Sequence, residues 1–576
     1  MTIPLAPGVY VREVPSGVRS VIGAGTSTPA LLGNTATLKT LRTPVLVRSW
    51  TEFRTKFFPT PADAIGALTS ANEAYQAAAR KRDEIDATFK RASDFSADSN
   101  YTSATSKKAA QEAWIFAVQV ANLAYSLGYK TDDTKKTMDD ASKVVEASKA
   151  ASFDKDAFTT SISALYKNIA DQKAKGWAAG EEAVQKAAEA AADAVTKLEK
   201  DASRTVAEQL REPLEAAEKA MHDAKVNASV RDHLALVSLA EVIDIVVQAF
   251  KGYDDKWCLG EAVLGFFANG GSSCYIVPLE ITNTTSTFEG SSADNTGLAG
   301  LEKVSDVSMV VVPDLHLAAS ENLSTLAAQV VAHCAKMRNR LAILHTVPDL
   351  HAEDACKFKD GLSLGPRTDL ATLYYPWLKV PGMDGKARTV PPSGHIAGVW
   401  AATDASRGVF KAPANVSLAG ATGLTTTLSD DEQAGLNAAG VNCLRSFPGR
   451  PLMVWGARTL VDPSDRDWKY VNVRRLVCFL SDSIRQSTSW AVFEPNDEHL
   501  WATLRQSVSA FLKDQWRQGA LQGATPDEAF HVVCDASNNP QVLIDRGEVH
   551  CDIYVAPVRP AEFVHFSIQQ TAGQAV

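Results

Sequence analysis

Met309-Val-Val-Val312, Asn322–Arg340 and Leu341-Ala-Ile-Leu344 decide the fold. The first and third are short apolar runs, which suit strands covered on both faces. Between them Leu326, Val330, His333/Cys334 and Met337 recur at helical spacing, so one side of a helix faces a core. Strand, helix, strand in this order predicts a β–α–β unit in a layered, mixed α/β core. Cys274-Tyr-Ile-Val277 supplies a further buried strand upstream.

Downstream, residues 378–450 carry Pro381, Pro391, Pro392, Pro413 and many Gly, and read as surface loops. A second mixed segment follows. Val454-Trp455 reads as a strand, and Tyr470–Gln486 as a helix with Val473, Leu476, Leu480 and Ile484 on one side. Asn496 is placed to cap another helix, whose buried row is Leu500, Leu504, Val508, Phe511/Leu512 and Gln515/Trp516. Val549–Val555 alternates as a strand. Beyond Pro557 and Pro560, the run Phe563, Val564, His565, Phe566, Ser567, Ile568 alternates again.

Upstream, composition changes abruptly. From Ala62 to Ser229 Ala makes up about a quarter of the residues and the one proline is Pro213. That is helix-former composition. Trp114, Val118, Ala121 and Tyr125 share a face, as do Val184, Ala188, Ala191, Val195 and Leu198, predicting a small antiparallel bundle or coiled hairpin. At the start, Val9, Tyr10, Val11, Arg12, Glu13 and Val14 read as a strand between Pro7-Gly8 and Pro15. Gly17, Gly23 and Gly25 then mark a flexible linker. A strand followed by such a linker has no local partner and must pair with something distant, in this chain or another.

With 576 residues, 45% hydrophobic and 22% charged, the composition excludes a collagen, a wholly disordered chain and a membrane bundle. A net charge of −9 gives no reason to expect nucleic acid. Eight scattered Cys without a CxxC pair read as buried thiols. Glu241 and Asp244 interrupt the most apolar helical stretch, and Met1-Thr-Ile-Pro4 opens without a basic n-region. The expectation is a cytoplasmic protein with neither a secretory signal nor a membrane insertion.

Phosphate-binding and dinucleotide loops are absent: Gly382–Lys386 only grazes one pattern and Gly23-Ala-Gly25 the other. His333, Cys334, His345, His351 and Cys356 form a conceivable thiol or metal cluster, and Asp314 and His316 follow a buried strand where catalytic groups often stand. Set against this, His333 and Cys334 belong to a helix's apolar side and no GxSxG accompanies them. No catalytic residue, metal or cofactor is expected. A cytosolic hydrolase of unknown substrate is the alternative, and a helical binding module on an inert scaffold is a third reading.

Several motifs resemble the contractile tail sheath protein family of phage tails, R-type pyocins and contractile injection systems. They include Thr372-Leu-Tyr-Tyr-Pro-Trp-Leu-Lys-Val380, Arg407-Gly-Val-Phe-Lys-Ala-Pro-Ala-Asn415 and Val454-Trp-Gly-Ala-Arg-Thr-Leu460. Trp468-Lys-Tyr-Val-Asn-Val-Arg-Arg475, Ala556-Pro-Val-Arg-Pro-Ala-Glu-Phe563 and the N-terminal Ala6-Pro-Gly-Val-Tyr-Val-Arg-Glu-Val14 add to them. The resemblance covers about residues 1–60 and 255–576, with 62–250 sitting as an insertion in a loop.

The resemblance implies a structural subunit that stacks in six-fold helical rings around an inner tube and contracts to drive it through a target envelope. Its partners are then other copies of itself, the inner tube protein, and baseplate and terminal cap proteins. Strands 9–14 and 563–568 become inter-subunit arms, with Gly17, Gly23 and Gly25 in the arm linker. Fourteen residues from Pro15 to Thr28 reach roughly 45 Å when extended. Tube contacts are expected on either helix of the C-terminal segment, with Arg474, Arg475, Arg505, Lys513 and Arg517 as candidates. The expected plan is an arm and linker at 1–28, an α/β domain at 29–60 plus 251–450, and a helical insertion at 61–250. A C-terminal domain at 451–556 and an arm at 557–576 complete it.

Overall fold

The computed structural model describes residues 20–37, 42–67, 256–281, 288–383 and 385–564, together with isolated positions between 69 and 254. The strand expected at 9–14, Gly17, nearly all of the helical insertion and His565–Ile568 lie outside the described residues. The chain divides into two compact units, 1–54 with 255–576, and 55–254. In the second, residues 61–67 are helical. Thr60 opens that helix: its Oγ1 accepts from the Asp63 amide at 3.3 Å while Asp63 Oδ2 accepts from the Thr60 amide at 3.1 Å.

The first unit is mixed α/β. Its strands are β1 (Pro29–Gly33), β2 (Val45–Val47), β3 (Cys274–Pro278), β4 (Met309–Val311), β5 (Leu341–His345), β6 (Ala371–Tyr375) and β7 (Leu378–Pro381). They continue with β8 (Ala387–Val390), β9 (Val416–Ser417), β10 (Gly423–Leu424), β11 (Val441–Ser446), β12 (Leu452–Val454), β13 (Phe530–Val533) and β14 (Asp552–Val555). Helix α1 is Trp50–Phe57, whose last three residues belong to the second unit, and the longer helices that follow in the first unit are α2 (Leu259–Ala268), α3 (Ser320–Met337) and α4 (Ala352–Asp360). After them come α5 (Ser393–Arg407), α6 (Asp430–Ala438), α7 (Val471–Ser487) and α8 (Glu498–Arg517).

Nine strands form the main sheet in the order β2-β3-β1-β4-β5-β6-β11-β12-β9. From β3 to β11 every neighbouring pair is parallel, while β2, β12 and β9 add antiparallel edges. Every residue of β1, β4, β5 and β6 is buried, as the unbroken apolar runs require of strands sandwiched between helices. The expected β–α–β unit is β4–α3–β5, with Leu326, Val330, His333 and Cys334 of α3 buried.

The loop-rich reading of 378–450 is corrected. Pro391-Pro392 precede a 15-residue helix, α5, which is largely buried. Its glycines are a packing surface: a Cβ on Gly394 would collide with the Ala262 carbonyl oxygen, and one on Gly398 with that of Phe266. Gly265 of α2 completes the contact from the other side, since a Cβ there would overlap the His395 ring. Backbones this close need positions without side chains, so Gly here marks helix contact rather than a loop.

Three smaller expectations also change. Val454 closes β12, which pairs with β11 inside the main sheet instead of standing apart as a strand of the second segment. Asp497, not Asn496, caps α8 by accepting from the Leu500 amide at 2.9 Å. Asn496 instead accepts from the Trp501 indole at 2.8 Å. The strand expected at Val549–Val555 is shorter, Asp552–Val555. Among the described residues no helix is long and apolar enough to cross a membrane.

Candidate functional site

β13 and β14 form a sheet of their own, paired antiparallel from Phe530↔Val555 to Val533↔Asp552. Phe530, Val532, Ile553 and Val555 turn inward onto Leu476, Leu480, Val508, Phe511 and Leu512 of α7 and α8. His531 and Tyr554 stand on the outer face, with ring centroids 6.5 Å apart. Among the described residues each strand has a neighbour on one side only. A two-stranded sheet with a hydrophobic face and two free edges is a template for further strands. Along β13 runs a groove of about 650 Å³ lined by Arg505, Gln506, Ser509 and Lys513 of α8 and by Phe530 and His531.

The roots of both chain ends lie on α7. At its C-terminal end the Ile22 amide donates to Ser487 Oγ at 3.0 Å and the Ala24 amide to Ser483 Oγ at 2.8 Å. Val21 packs on the cluster beneath the sheet. Arg475 Nη2 and Ser308 Oγ donate to the Thr26 carbonyl at 2.9 and 2.5 Å. The expectation of a loose linker through Thr28 is therefore corrected: residues 21–28 are fastened to the body. Gly23 lies flat against Phe479, where a Cβ would be 3.2 Å from the ring; a Cβ on Gly25 would meet nothing within 4 Å.

At the other end of α7, Asn472 Nδ2 donates to the Val558 carbonyl at 3.1 Å. Glu562 is gripped by Arg458, whose Nε and Nη2 donate to its two carboxylate oxygens at 2.7 and 2.6 Å. Asn437 Nδ2 and the Tyr470 hydroxyl donate to the same carboxylate at 3.0 and 3.2 Å. Burial pushes the Glu562 carboxyl up, but the bonds from Arg458 and Asn437 outweigh it and hold the group below its ordinary range. Immediately beyond, Phe563 and Val564 are 68% and 66% exposed.

The five candidate tube contacts separate. Arg474 and Arg475 are corrected: both are buried. Arg474 pairs with Asp369 at 3.1 Å and stacks over Trp468, and Arg475 pairs with Asp404. Arg505 donates to the Cys534 carbonyl at 2.8 Å and stands in the β13 groove with Lys513. Arg517 is exposed beside Asp514. An apolar period on α7 identifies its core face, but nothing in it reveals that α7 is covered on the other face as well.

Of the residues of the hydrolase alternative, His316 and His345 stand with ring centroids 6.4 Å apart, and Asp314 and His333 are held by partners of their own. Asp314 is wholly buried; its Oδ2 accepts from the Asn34 amide at 2.7 Å and its Oδ1 from the Cys258 amide at 2.5 Å. Burial pushes its carboxyl up to about 6 against those bonds. It ties the end of β1 to the start of α2. The rings of His316, His333 and His345 bond to the Pro313 carbonyl, Arg340 and Ser393. Burial pushes the Cys334 thiol up to about 12, far from a nucleophile's range. Among the described residues no three His, Cys, Asp or Glu side chains are grouped to hold a metal ion.

The first unit thus combines a layered α/β body, a separate two-stranded sheet and two chain segments fastened along α7. Residues 293–460 match the phage tail sheath protein central domain and residues 463–571 the phage tail sheath C-terminal domain. The tail sheath protein of Vibrio phage KVP40 is 29% identical over 191 residues, 33% of this chain and 27% of that protein. A putative prophage major tail sheath protein of Pseudomonas aeruginosa is 30% identical over 191 residues, 32% of this chain and 47% of that one. The chain thus spans less than half the length of these curated relatives.

Among solved structures, the sheath complex of the extracellular contractile injection system PVC in its contracted state is 32% identical. The alignment covers 57% of this chain and 83% of that one, with a TM-score of 0.46. A chain of the anti-feeding prophage baseplate is 30% identical over 54% of this chain and 80% of its own, with a TM-score of 0.47. The chain belongs to the phage tail sheath family.

Proposed function

We propose that this protein is the subunit of a contractile sheath, stacked in six-fold helical rings around an inner tube, with a structural rather than a catalytic role. The observation that carries the reading is the β13–β14 sheet with its two free edges, set on the same helix that roots both chain ends. In this reading residues 9–14 and 563–568 of neighbouring copies add strands to those edges. Main-chain bonds then resist pulling, and the alternating side chains set the register. Each such bond nets only about 0.5–1.5 kcal/mol, but a ring repeats it in every subunit. The inner tube, baseplate and terminal cap proteins are the remaining partners. Arg505 and Lys513 belong to the strand groove in this scheme, which leaves Arg517 as the tube-contact candidate on α8.

The inserted residues 61–250 decorate the assembly without building it. Contraction needs no cofactor, because it is a switch between two packings of one set of subunits. Electron microscopy of the purified full-length chain tests the reading: hollow tubes or stacked rings are expected, and dispersed monomers at high concentration would overturn it. Removing residues 1–14 or 563–576 should abolish tubes while the body stays folded. Removing 61–250 should leave tubes intact.

A further inference from the structure

The two roots on α7 are fastened by different chemistry. The C-terminal one ends in a two-pronged, charge-assisted grip, Arg458 on Glu562, with the two side chains 8% and 21% exposed. Asn437 and Tyr470 close on the same carboxylate, and the Val558 amide donates to the Ala520 carbonyl at 3.2 Å. Such pairs are short and directional, and this one is shielded from water. The N-terminal root rests on three neutral bonds to two serines: the Ile22 and Ala24 amides donate to Ser487 and Ser483, and Ser487 Oγ donates back to the Ile22 carbonyl at 3.4 Å. Water replaces a hydroxyl acceptor at little cost at the exposed Ser487 bond, whereas Ser483 is buried and its bond to Ala24 is half-covered. Ser20, Ile22, Gly23 and Gly25 are exposed, and Ile22 is 76% exposed on the chain's outer side. Only Val21 reaches the core.

We propose that residues 20–25 are a releasable strap. Under tension they peel from Ser487 and Ser483 back to Thr26, while the C-terminal root stays shut. Thr26 is the stop, because Arg475 and Ser308 both hold its carbonyl and β1 follows three residues later. Release moves the point where the N-terminal tether leaves the body from Ser487 to Arg475. That is twelve residues of helix, or about 18 Å. It also frees six residues of chain, about 20 Å when extended. The tether thereby gains length during a rearrangement without any strand having to unpair.

This inference rests on the sheath reading, and two measurements separate them. Amide hydrogen exchange on the full-length chain needs no assembly. The Ile22 and Ala24 amides should exchange at least tenfold faster than those of Gln522 and Val558. The double variant Ser483→Ala/Ser487→Ala should quicken the first pair alone. Equal protection at the two roots overturns the strap whether or not tubes form. The second measurement joins Ile22→Cys to Ser487→Cys with a cleavable bis-thiol reagent in assembled particles, with each single variant as control. Joined particles should assemble normally and contract at least tenfold less often when triggered chemically, and reductant should restore contraction. Contraction at the unmodified rate overturns the strap; a chain that never forms tubes overturns the sheath reading instead.

Discussion

Arg475 of α7 and Asp404 of α5 form a buried two-pronged pair, with Nη1 and Nη2 donating at 2.8 and 2.5 Å and the two side chains 3% and 2% exposed. The same guanidinium lies over the Trp400 ring at 4.7 Å and donates to Thr26. One side chain therefore joins the main α/β layer, the C-terminal helices and the N-terminal root. Removing one partner of a buried pair costs about 3–5 kcal/mol because the other charge is stranded. Arg475→Ala should lower stability by that order, and Asp404→Ala in the same chain should recover part of the loss. Denaturant unfolding across the double-mutant cycle measures the coupling. Additive losses would show that the pair carries no special role.

Asp314 sets a pH dependence whose sign follows from its raised carboxyl. Burial moves it from 3.8 to about 6, so its contribution is fully present below pH 3.8 and is lost as pH rises through about 6. The linked amount is roughly 3 kcal/mol. Asp314→Asn should remove this fall in unfolding free energy between acid and neutral pH. Parallel unfolding curves at both pH values for wild type and variant would refute the assignment.

Glu562 predicts the opposite trend. Its carboxyl is held low, so the stability it adds is present above the ordinary glutamate range and is lost as pH falls through its depressed value. Glu562→Ala should cost about 2 kcal/mol, allowing for partial exposure. It should also raise hydrogen exchange at 556–562 without touching residues 20–26. Glu562→Gln, which keeps the shape and loses the charge, should fall between the two.

The glycines of α5 and α6 give a contrast of sign. Gly398→Ala pushes a methyl into the α2 backbone and should cost about 1–3 kcal/mol, with Gly394→Ala alike. Gly435, in the middle of α6, faces open space, since a Cβ there would meet nothing within 4 Å. Gly435→Ala should therefore stabilise by about 0.5–1 kcal/mol. Thermal unfolding reads both. A destabilised Gly435→Ala would mean that helix propensity does not govern this site.

Local pattern was enough for the elements that bury one face against a neighbour. β4, α3 and β5 stand where periodicity puts them, and so do α7 and α8, because apolar spacing records burial directly. The same rule failed at α5. Its helix is buried nearly all round, and a stretch of Gly, Ala and Ser has no polar face to contrast with an apolar one. Phe530-His-Val-Val533 is apolar enough to suggest a strand, yet too short to compel one without β14 beside it.

The charged residues show the division most clearly. Arg458, Glu562 and Arg475 all stand in stretches whose motifs resemble the sheath family, so the sequence determined the kind of protein. Arg474 and Arg475 nonetheless read as contacts for a partner, whereas Asp369 and Trp468 enclose the first and Asp404 and Trp400 of α5 the second. Which arginine grips a chain end, which is buried and which stays outside depends on contacts across 71 to 449 residues of chain. Sequence spacing records what lies one turn away; only the folded chain decides what lies across the core.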